Sequence, residues 1–383
     1  MRYFINDTIF YFSFFENQYF PAICKNILFK NKPLQHERGT EKNSSTSKIV
    51  VLKLFPNYLK LDLNDDLYVK KSIHKPGLAV DLSKKFEGIE DFLKSECRSS
   101  FRKDVTRSVR RLETCFNVKY KMFYGSISKP ECILLMNKLY TFIENRFKQR
   151  SGRNTILKHW DYYTDLAYKG INNKTASLFV IYNNDLPVDI SLNFHNDNLM
   201  FSYTCSYDID YGKFSLGNIL NYKLIEWCIH NNIALFDIGY GDYNYKRNWV
   251  NLIYDFETVY ISHKKSLLLQ LYAFYLDSKN KLIHFLILKK VNYWFHDTVD
   301  KIKKIDRKYV PSVYVEFDCN AHKHDSNVID INSENSFFLR KPVYDQAYKY
   351  QEHIDNLKVY KSESDTNTYI IKGKTCEVGI SFN

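Results

Sequence analysis

The alternation of apolar and polar positions divides the chain into strand-like and helix-like stretches, and residues 177–262 are the most regular of these. Three short apolar runs separated by Asn- and Asp-rich turns come first, as expected for consecutive strands. A helix is predicted over 216–231 because its apolar positions recur at steps of three and four. Two further strands complete the order β-β-β-α-β-loop-β, and the five strands are placed at 177–182, 188–194, 198–204, 233–238 and 256–262.

The regions on either side are less regular. Residues 1–32 alternate weakly and indicate strands or a packed arm, and residues 312–383 resemble short strands with polar interruptions. The polar stretch 33–48 predicts a loop. Short strands are predicted over 49–54 and 79–82, and helices from near residue 90 and over 101–112, 129–149, 155–169 and 264–304.

Composition and charge narrow the class of protein without fixing its function. Of the 383 residues 45% are hydrophobic and 26% are charged, as in folded soluble proteins. The net charge of +12 attracts polyanions, anionic lipid headgroups or a phosphorylated cofactor, and charge alone does not choose among them. The eight cysteines form no Cys-x-x-Cys pair, so we predict reduced thiols and no metal site. No apolar run reaches the roughly 18–20 residues of a membrane-spanning helix.

The segment directly before the helix at 216–231 has the composition of a phosphate-binding loop. It contains two glycines, a lysine and a serine in the run YGKFSLG from Tyr211 to Gly217. Unpaired backbone N–H groups and the helix dipole favour an anion at such a position. Ser215 could equally be a plain N-cap residue, and the loop by itself does not decide between the two interpretations.

Three motifs follow one another along the chain. The first is the arginine-rich helix segment RKDVTRSVRR over 102–111. The second joins Tyr207-Asp208 to Ser215-Leu-Gly217. The third is the strand end FDIGYGDYNYKRNW over 236–249, which contains Asp-x-Gly-x-Gly followed by Tyr-Lys and Trp.

In this order the motifs resemble the GNAT-fold acyltransferases of the CelD/BcsL group, which are relatives of the Fem peptidyltransferases. The resemblance covers residues 86–262, somewhat under half of the chain. Where that family commonly has proline before the loop glycine, this sequence has Leu216. The resemblance implies an α/β (α+β) fold with a GNAT-like mixed sheet flanked by helices, in a degenerate tandem arrangement.

The resemblance also implies a donor site. Acetyl-CoA or another acyl-CoA would lie where two parallel strands separate, with its pyrophosphate on the amides of the loop. The candidate cofactor-binding residues are Tyr211, Gly212, Lys213, Phe214, Ser215, Leu216 and Gly217.

Three catalytic candidates lie in the strand-end motif, where Gly239 and Gly241 allow a sharp turn. Asp242 could accept a proton from an attacking amine, and Tyr245 could protonate the departing thiolate. Lys246 could stabilise the oxyanion that develops on the thioester carbonyl, or bind a substrate phosphate.

The substrate-binding candidates have simpler structural interpretations beside the functional one. The arginine helix could hold a phosphorylated acceptor or a lipid-linked sugar, or present a solvated basic face. His195 could be a general base, although a lone histidine at a strand end more often packs or faces solvent. Tyr203, in a chain with 31 tyrosines, is more simply a core residue. The full set is Arg107, Arg111, His195, Tyr203, Asp237, Gly239 and Gly241.

We divide the chain into four parts on this basis. Residues 1–85 are a partial N-terminal GNAT-like half, and residues 86–263 are the acyltransferase domain. Residues 264–309 are basic amphipathic helices, which could rest on a membrane surface but more commonly pack on their own protein. Residues 310–383 are a strand-rich extension to which the sequence assigns no role.

The leading hypothesis is an acyl-CoA-dependent N-acyltransferase in which an amine attacks the thioester directly. The acceptor is expected to be an amino sugar or another cell-envelope or polysaccharide precursor, and the protein to be cytoplasmic, with contact to the inner membrane face left open. One alternative is a Fem-like transferase that uses aminoacyl-tRNA, since the charge suits RNA. Another is a basic protein that binds nucleic acid or membranes and whose GNAT site has decayed.

Overall fold

The computed structural model describes residues 5–34, 48–150, 156–241, 244–288, 314–317, 327–363, 365 and 367–382. Its strands are β1 (Ile5–Ile9), β2 (Cys24–Phe29), β3 (Lys32–Pro33), β4 (Ile49–Pro56), β5 (Leu59–Leu63), β6 (Leu67–Asp81), β7 (Val118–Phe123), β8 (Ala176–Asn183), β9 (Leu186–Asn196), β10 (Leu199–Tyr207), β11 (Leu235–Tyr240), β12 (Leu252–His263), β13 (Tyr314–Phe317), β14 (Lys358–Lys361), β15 (Thr368–Lys372) and β16 (Glu377–Phe382). Its α-helices are α1 (Phe10–Glu16), α2 (Ile89–Glu96), α3 (Ser99–Cys115), α4 (Lys129–Arg150), α5 (Trp160–Asn172), α6 (Leu216–His230), α7 (Asn244–Arg247), α8 (Leu267–Leu288) and α9 (Arg340–Tyr350).

A nine-stranded mixed sheet organises the fold, in the order β1-β4-β12-β6-β11-β10-β9-β8-β7. The pairs β1–β4 and β10–β11 are parallel and the others are antiparallel. Strands from the first 85 residues therefore lie in the same sheet as strands from the central region. The predicted mixed sheet flanked by helices is confirmed, while the tandem origin and the domain boundaries stay predictions.

Each face of the sheet carries its own hydrophobic core. One core packs α2, α3, α6 and α9 against side chains such as Met200 and Phe236. The other packs α1, α4 and α5 against the neighbouring positions Leu199, Phe201 and Leu235. Because successive strand residues point to opposite faces, β10 and β11 are buried on both sides. This position in the middle of the molecule gives the two strands a rigid setting.

Several elements differ from the sequence-based prediction. The run FYFSFFE forms helix α1, which an entirely apolar stretch does not reveal by periodicity. Helix α9 lies in the region that was predicted to contain strands alone. Strands β5 and β7 were not predicted. In the regular region at 177–262 the five strands and the helix before β11 match the prediction, with boundaries shifted by a few residues, whereas the short helix α7 was not predicted.

Helix α8 lies in the predicted helical region 264–304, of which residues 289–304 fall outside the described part of the chain. It buries Leu269 and Ala273 against Val51 and Tyr260. Its other side exposes large apolar residues, namely Leu267, Leu268, Leu271, Phe274 and Tyr275. Among the described helices, none is long and apolar enough to cross a membrane.

Candidate active-site cleft

The central feature of the site is a divergence of two parallel strands. β10 and β11 pair at Leu199–Leu235, Met200–Phe236 and Phe201–Asp237, which is the full register between them. Beyond Phe201, β10 stays paired with β9 as far as Tyr207. Beyond Asp237, β11 stays paired with β6 as far as Tyr240. The two strands therefore stop pairing with each other here while each stays paired on its outer side, and the space between them is called the gap below.

Among the described residues, no strand pairs with the edge of β10 that faces the gap beyond Phe201. Ladder bonds alternate between the two sides of a strand, so alternate N–H and C=O groups beyond Phe201 point toward the gap. Such fixed N–H groups can bind a carbonyl oxygen or an extended ligand. A break in the β10–β9 register between Ser202 and Thr204 re-aims the side chains at this point.

Asp237 anchors the point of divergence from inside the core. Its side chain is fully buried and accepts hydrogen bonds from Tyr58 Oη at 2.7 Å and from Tyr254 Oη at 2.8 and 2.7 Å. It also accepts the Gly239 N–H at 2.7 Å. Burial raises the pKa of Asp237 to about 6, although the tyrosine hydrogen bonds oppose this rise. Asp237 was predicted to bind substrate, and its enclosure corrects that prediction to a structural role.

The two glycines after Asp237 have the backbone conformation that the turn requires. Gly239 has φ of 74° and Gly241 has φ of 109°, a region that residues with a side chain rarely adopt. At Gly239 a Cβ atom would also approach the Phe201 ring to 3.3 Å. Both glycines therefore shape the end of β11 through their backbone.

The predicted phosphate loop lies between β10 and α6. A 3₁₀ turn over Ile209–Phe214 leads to Ser215, which has a left-handed conformation with φ of 57°. Ser215 occupies the N-cap position of α6, but its side chain makes no capping hydrogen bond. Its carbonyl accepts the Asn218 N–H at 2.8 Å.

The seven loop candidates do not all face solvent. Tyr211, Phe214 and Leu216 are buried, so any contact with a phosphate would come from their backbone and not from their side chains. Gly212 and Gly217 have open space where a Cβ atom would lie. The fold does not demand glycine there, and a glycine in open space at a helix N-terminus suits close approach of a ligand.

Lys246 connects the strand-end motif to the cleft. Its Nζ donates to the Ile238 carbonyl at 2.9 Å, and burial lowers the pKa of its ammonium group. The nearby Trp249 is buried, donates from Nε1 to Asn218 Oδ1 at 3.1 Å and packs edge-on against Phe101. The turn that carries Lys246 is thereby fixed against the first turn of α6. Asp242 lies outside the described residues, and the side chain of Tyr245 is not described.

Cys205, Asp189 and Arg146 are charged or titratable groups near the cleft that the sequence did not single out. Cys205 is solvent-exposed on β10, yet the protein around it desolvates its thiolate, and together with the Asp189 charge this raises the pKa of the thiol to about 11. Lys246 and Arg146 act on the thiol in the opposite direction. Asp189 is fully buried, and burial raises the pKa of its carboxyl well above the ordinary value. No local sequence pattern marks these residues, because they come together only through the pairing of β9 with β10 and the packing of α4.

His195 lies in the core and not at the cleft. It is 1% exposed, its Nε2 lies 2.8 Å from Ser177 Oγ, and its ring packs against Tyr124 and Trp227. Burial lowers the pKa of His195 to about 3, so the ring is neutral at physiological pH. This corrects the prediction of a substrate-binding or basic role.

The remaining candidates lie in packing contacts or on the surface. Tyr203 lies among aromatic rings, with Tyr163 at 4.9 Å and Phe194 at 5.2 Å. Arg107 is exposed and forms an ion pair with Asp104 on its own helix. Arg111 lies over the Tyr348 ring of α9 at 4.4 Å. None of these four contacts joins β10 to β11.

The match to a known family falls on this part of the chain. Residues 99–247 match the model described as an acetyltransferase (GNAT) domain. The chain contains a GNAT-type acyltransferase domain. The matched range includes β10, the loop, α6 and β11, so it contains both strands that border the gap.

Solved structures with a similar arrangement are distant in sequence. FemX is 8% identical with a TM-score of 0.37, over 48% of this chain and 61% of that chain. The C-terminal domain of a putative lysylphosphatidylglycerol synthetase from Agrobacterium fabrum is 9% identical with a TM-score of 0.38, over 57% and 69%. A conserved protein of unknown function from Bacteroides thetaiotaomicron is 9% identical with a TM-score of 0.36, over 52% and 64%.

This chain thus spans less than two thirds of the length of FemX and of the Bacteroides protein. A search of curated proteins gave no significant match.

Proposed function

We propose that the protein transfers an acyl group from acyl-CoA to an amine, as a GNAT-type N-acyltransferase of the CelD/BcsL group. The observation that carries the proposal is the divergence of β10 and β11 after Phe201 and Asp237, beside the N-terminus of α6. An extended thioester can lie in the gap, and the amides at the start of α6 can take its phosphates.

The residues present fit the phosphate groups of such a donor. The first turn of α6 supplies N–H groups without an intrahelical partner, as every helix N-terminus does. Gly217 leaves the approach open, and Lys213 is an exposed cation on the same loop. These features supply positive potential and space at one place.

In the proposed reaction the amine nitrogen attacks the thioester carbonyl carbon, a C–N bond forms, and the C–S bond breaks. The amine loses a proton and the thiolate gains one. Backbone N–H groups of β10 beyond Phe201 and the ammonium of Lys246 would stabilise the developing oxyanion. We keep Asp242 as the proposed base and Tyr245 as the proposed acid.

The acceptor and the location of the protein are further parts of the proposal. A basic chain suits an acidic acceptor, such as an amino sugar carried on a phosphate, from the synthesis of an envelope component or polysaccharide. The exposed apolar side of α8 and its lysines Lys279 and Lys281 suit contact with the surface of an anionic membrane.

Ligand binding by wild type and by two matched glycine variants tests whether acyl-CoA is the donor and whether it binds at Gly217. In wild type, CoA, acetyl-CoA or a longer acyl-CoA should raise the melting temperature, because a ligand that binds the native state stabilises it. Gly217→Ala should weaken CoA binding about tenfold or more by placing a methyl group in the phosphate site. It should leave the free protein equally or more stable, since alanine favours a helix.

Gly88→Ala is the matched control, because Gly88 lies at the N-terminus of helix α2, as Gly217 lies in the first turn of α6, and both have open space where a Cβ atom would lie. It should leave CoA binding unchanged. If no acyl-CoA binds and charged tRNA stabilises the protein instead, the Fem-like alternative replaces the proposal. If only nucleic acid or anionic vesicles bind, without any donor, the site is a decayed one.

A further inference from the structure

Helix α9 packs directly on the loop to which we assign donor binding. The Tyr344 ring lies 4.7 Å from the Tyr211 ring, and the Tyr348 ring lies 5.1 Å from the Phe214 ring. On the other side of these rings, the centroid of the Phe116 ring at the end of α3 lies 4.9 Å from that of Tyr211 and 5.2 Å from that of Phe214. The loop is therefore held between α3 and a helix from the C-terminal region, which lies more than a hundred residues away in sequence.

Apart from Lys213, the charged side chains at the start of the loop do not suit a phosphate. Between residues 208 and 214 it carries two carboxylates, Asp208 and Asp210, and one cation, Lys213. Such a net negative segment repels the phosphates of a nucleotide donor. Something must offset these carboxylates before the adjacent N-terminus of α6 can bind an anion well.

Arg340, the first residue of α9, offsets both carboxylates. Its Nη2 lies 3.0 Å from Asp208 Oδ2, and its Nε lies 3.5 Å from Asp210 Oδ2. The side chain of Arg340 is only 17% exposed, and those of Asp208 and Asp210 are 13% and 21% exposed, so solvent screens these ion pairs weakly. Asp208 also accepts the Asp210 N–H at 3.1 Å, which closes the first turn of the loop.

Helix α9 also orients the one cation of the loop. Lys213 Nζ lies 3.6 Å from Asp345 Oδ2. Asp345 is held in turn by the Tyr314 hydroxyl at 2.7 Å and by Lys341 at 3.1 Å. Because Lys213 keeps an exposed side chain, it can turn toward a ligand from this position.

We propose that α9 forms part of the donor site, with Arg340 as a positioning residue that neutralises Asp208 and Asp210 and fixes the loop for phosphate binding. This inference rests on the proposed function. It assigns the C-terminal region, for which the sequence indicated no role, to the binding of a phosphate-bearing donor. Arg340 acts through the loop and does not itself contact the donor.

Substitution of Arg340 tests the proposal by isothermal titration with CoA and by steady-state kinetics with acetyl-CoA. Arg340→Met should raise the Kd for CoA and the KM for acetyl-CoA about tenfold, with kcat within about threefold, because it removes binding and not transition-state contacts. Arg340→Lys should recover part of the affinity, since a lysine restores the charge but cannot contact both carboxylates through two separate nitrogen atoms.

Lys349→Met is the matched control. Lys349 lies on the same helix and pairs at 2.9 Å with Glu316, which is not a carboxylate of the loop. This variant should leave the Kd for CoA within about twofold of wild type. A similar loss of affinity in Lys349→Met would mean that α9 acts through general stability, and would overturn the specific role of Arg340.

A rescue variant distinguishes an effect of charge on CoA binding from an effect on folding. In the triple variant Asp208→Asn, Asp210→Asn, Arg340→Met the carboxylates that need Arg340 are gone, so CoA affinity should return to within about threefold of wild type. Wild-type affinity in Arg340→Met, or no recovery in the triple variant, overturns the inference while the proposed function stands. Failure of the wild-type protein to bind any acyl-CoA overturns both.

Discussion

Phe201 on β10 and Asp237 on β11 form the pair at which the two parallel strands cease to match in register. The Asp237 side chain turns into the core, where two tyrosine hydroxyls hold it, and Gly239 bends β11 with a positive φ. The gap therefore begins where a buried polar cluster and a glycine turn fix the strand. This link between core and cleft makes Asp237 the first residue to test.

Asp237→Asn should change how stability depends on pH. The native pKa of about 6 exceeds the ordinary value of 3.8, so the native state binds more protons between these values and stability falls as pH rises. The asparagine variant lacks this loss, so its free energy of unfolding relative to that of wild type should rise by about 2 kcal/mol between pH 4 and 7. Urea unfolding across this range measures the difference.

Tyr254→Phe is the companion variant, because it removes the hydroxyl and leaves the Asp237 carboxyl. It should lower the free energy of unfolding by about 2 kcal/mol, the usual loss for a buried hydrogen bond to a charged group. Tyr162→Phe, at an exposed tyrosine that is hydrogen-bonded to Asn17, is the control and should change the free energy of unfolding little.

The pH series also has a contradicting outcome. A difference in the free energy of unfolding between Asp237→Asn and wild type that is constant at all pH values would contradict the assigned pKa of Asp237.

His195 should affect acid stability without shaping the pH profile of catalysis. Its native pKa of about 3 lies below the ordinary value of 6.5, so the unfolded state binds more protons in between and stability falls as pH falls. Between pH 7 and pH 5 wild type should lose about 2 kcal/mol more than His195→Gln. Parallel unfolding curves for the two proteins, or a lost limb in the pH–rate profile of the variant, would refute this account.

Lys246→Ala should lower kcat by about a hundredfold, the usual loss when a group that stabilises an oxyanion is removed. Arg247 is the next residue on the same short helix, is also cationic and is exposed. Arg247→Ala should therefore retain kcat within about threefold. Because burial lowers the pKa of Lys246, wild-type activity should decline at an alkaline pH below the range in which a free lysine titrates. Equal rates for the two alanine variants would remove Lys246 from the proposed mechanism.

Cys205→Ala should retain kcat within about threefold, because the amine is proposed to attack the thioester without a covalent enzyme intermediate. The thiol has a pKa of about 11 and is protonated at neutral pH, which makes it a poor nucleophile. Rapid-mixing experiments should accordingly show no burst of free CoA. A burst equal to the enzyme concentration that disappears in the alanine variant would establish a covalent route through Cys205.

Local patterns predicted much of the acyltransferase region because they depend on neighbouring residues alone. The strands at 177–262 and helix α6 follow from apolar spacing, and the glycines of the FDIGYGDYNYKRNW motif were correctly expected to permit a turn. Helix α9, whose segment RKPVYDQAYKY contains Pro342 and many polar residues, gives a weak apolar pattern. It owes its place to Val343, Tyr344 and Ala347, which are buried against other parts of the chain.

The sequence by itself determined the order of elements in the central region and the loop before α6. Only the tertiary structure decided which of their surfaces are enclosed. Along β9 the polar positions Ser191, Asn193 and His195 alternate with apolar ones, yet all three are buried. Likewise Tyr58 meets Asp237, and Arg340 meets Asp208, across 179 and 132 residues of chain. Periodicity records the environment that each residue prefers, whereas such distant pairings depend on the free energy of the whole packed core.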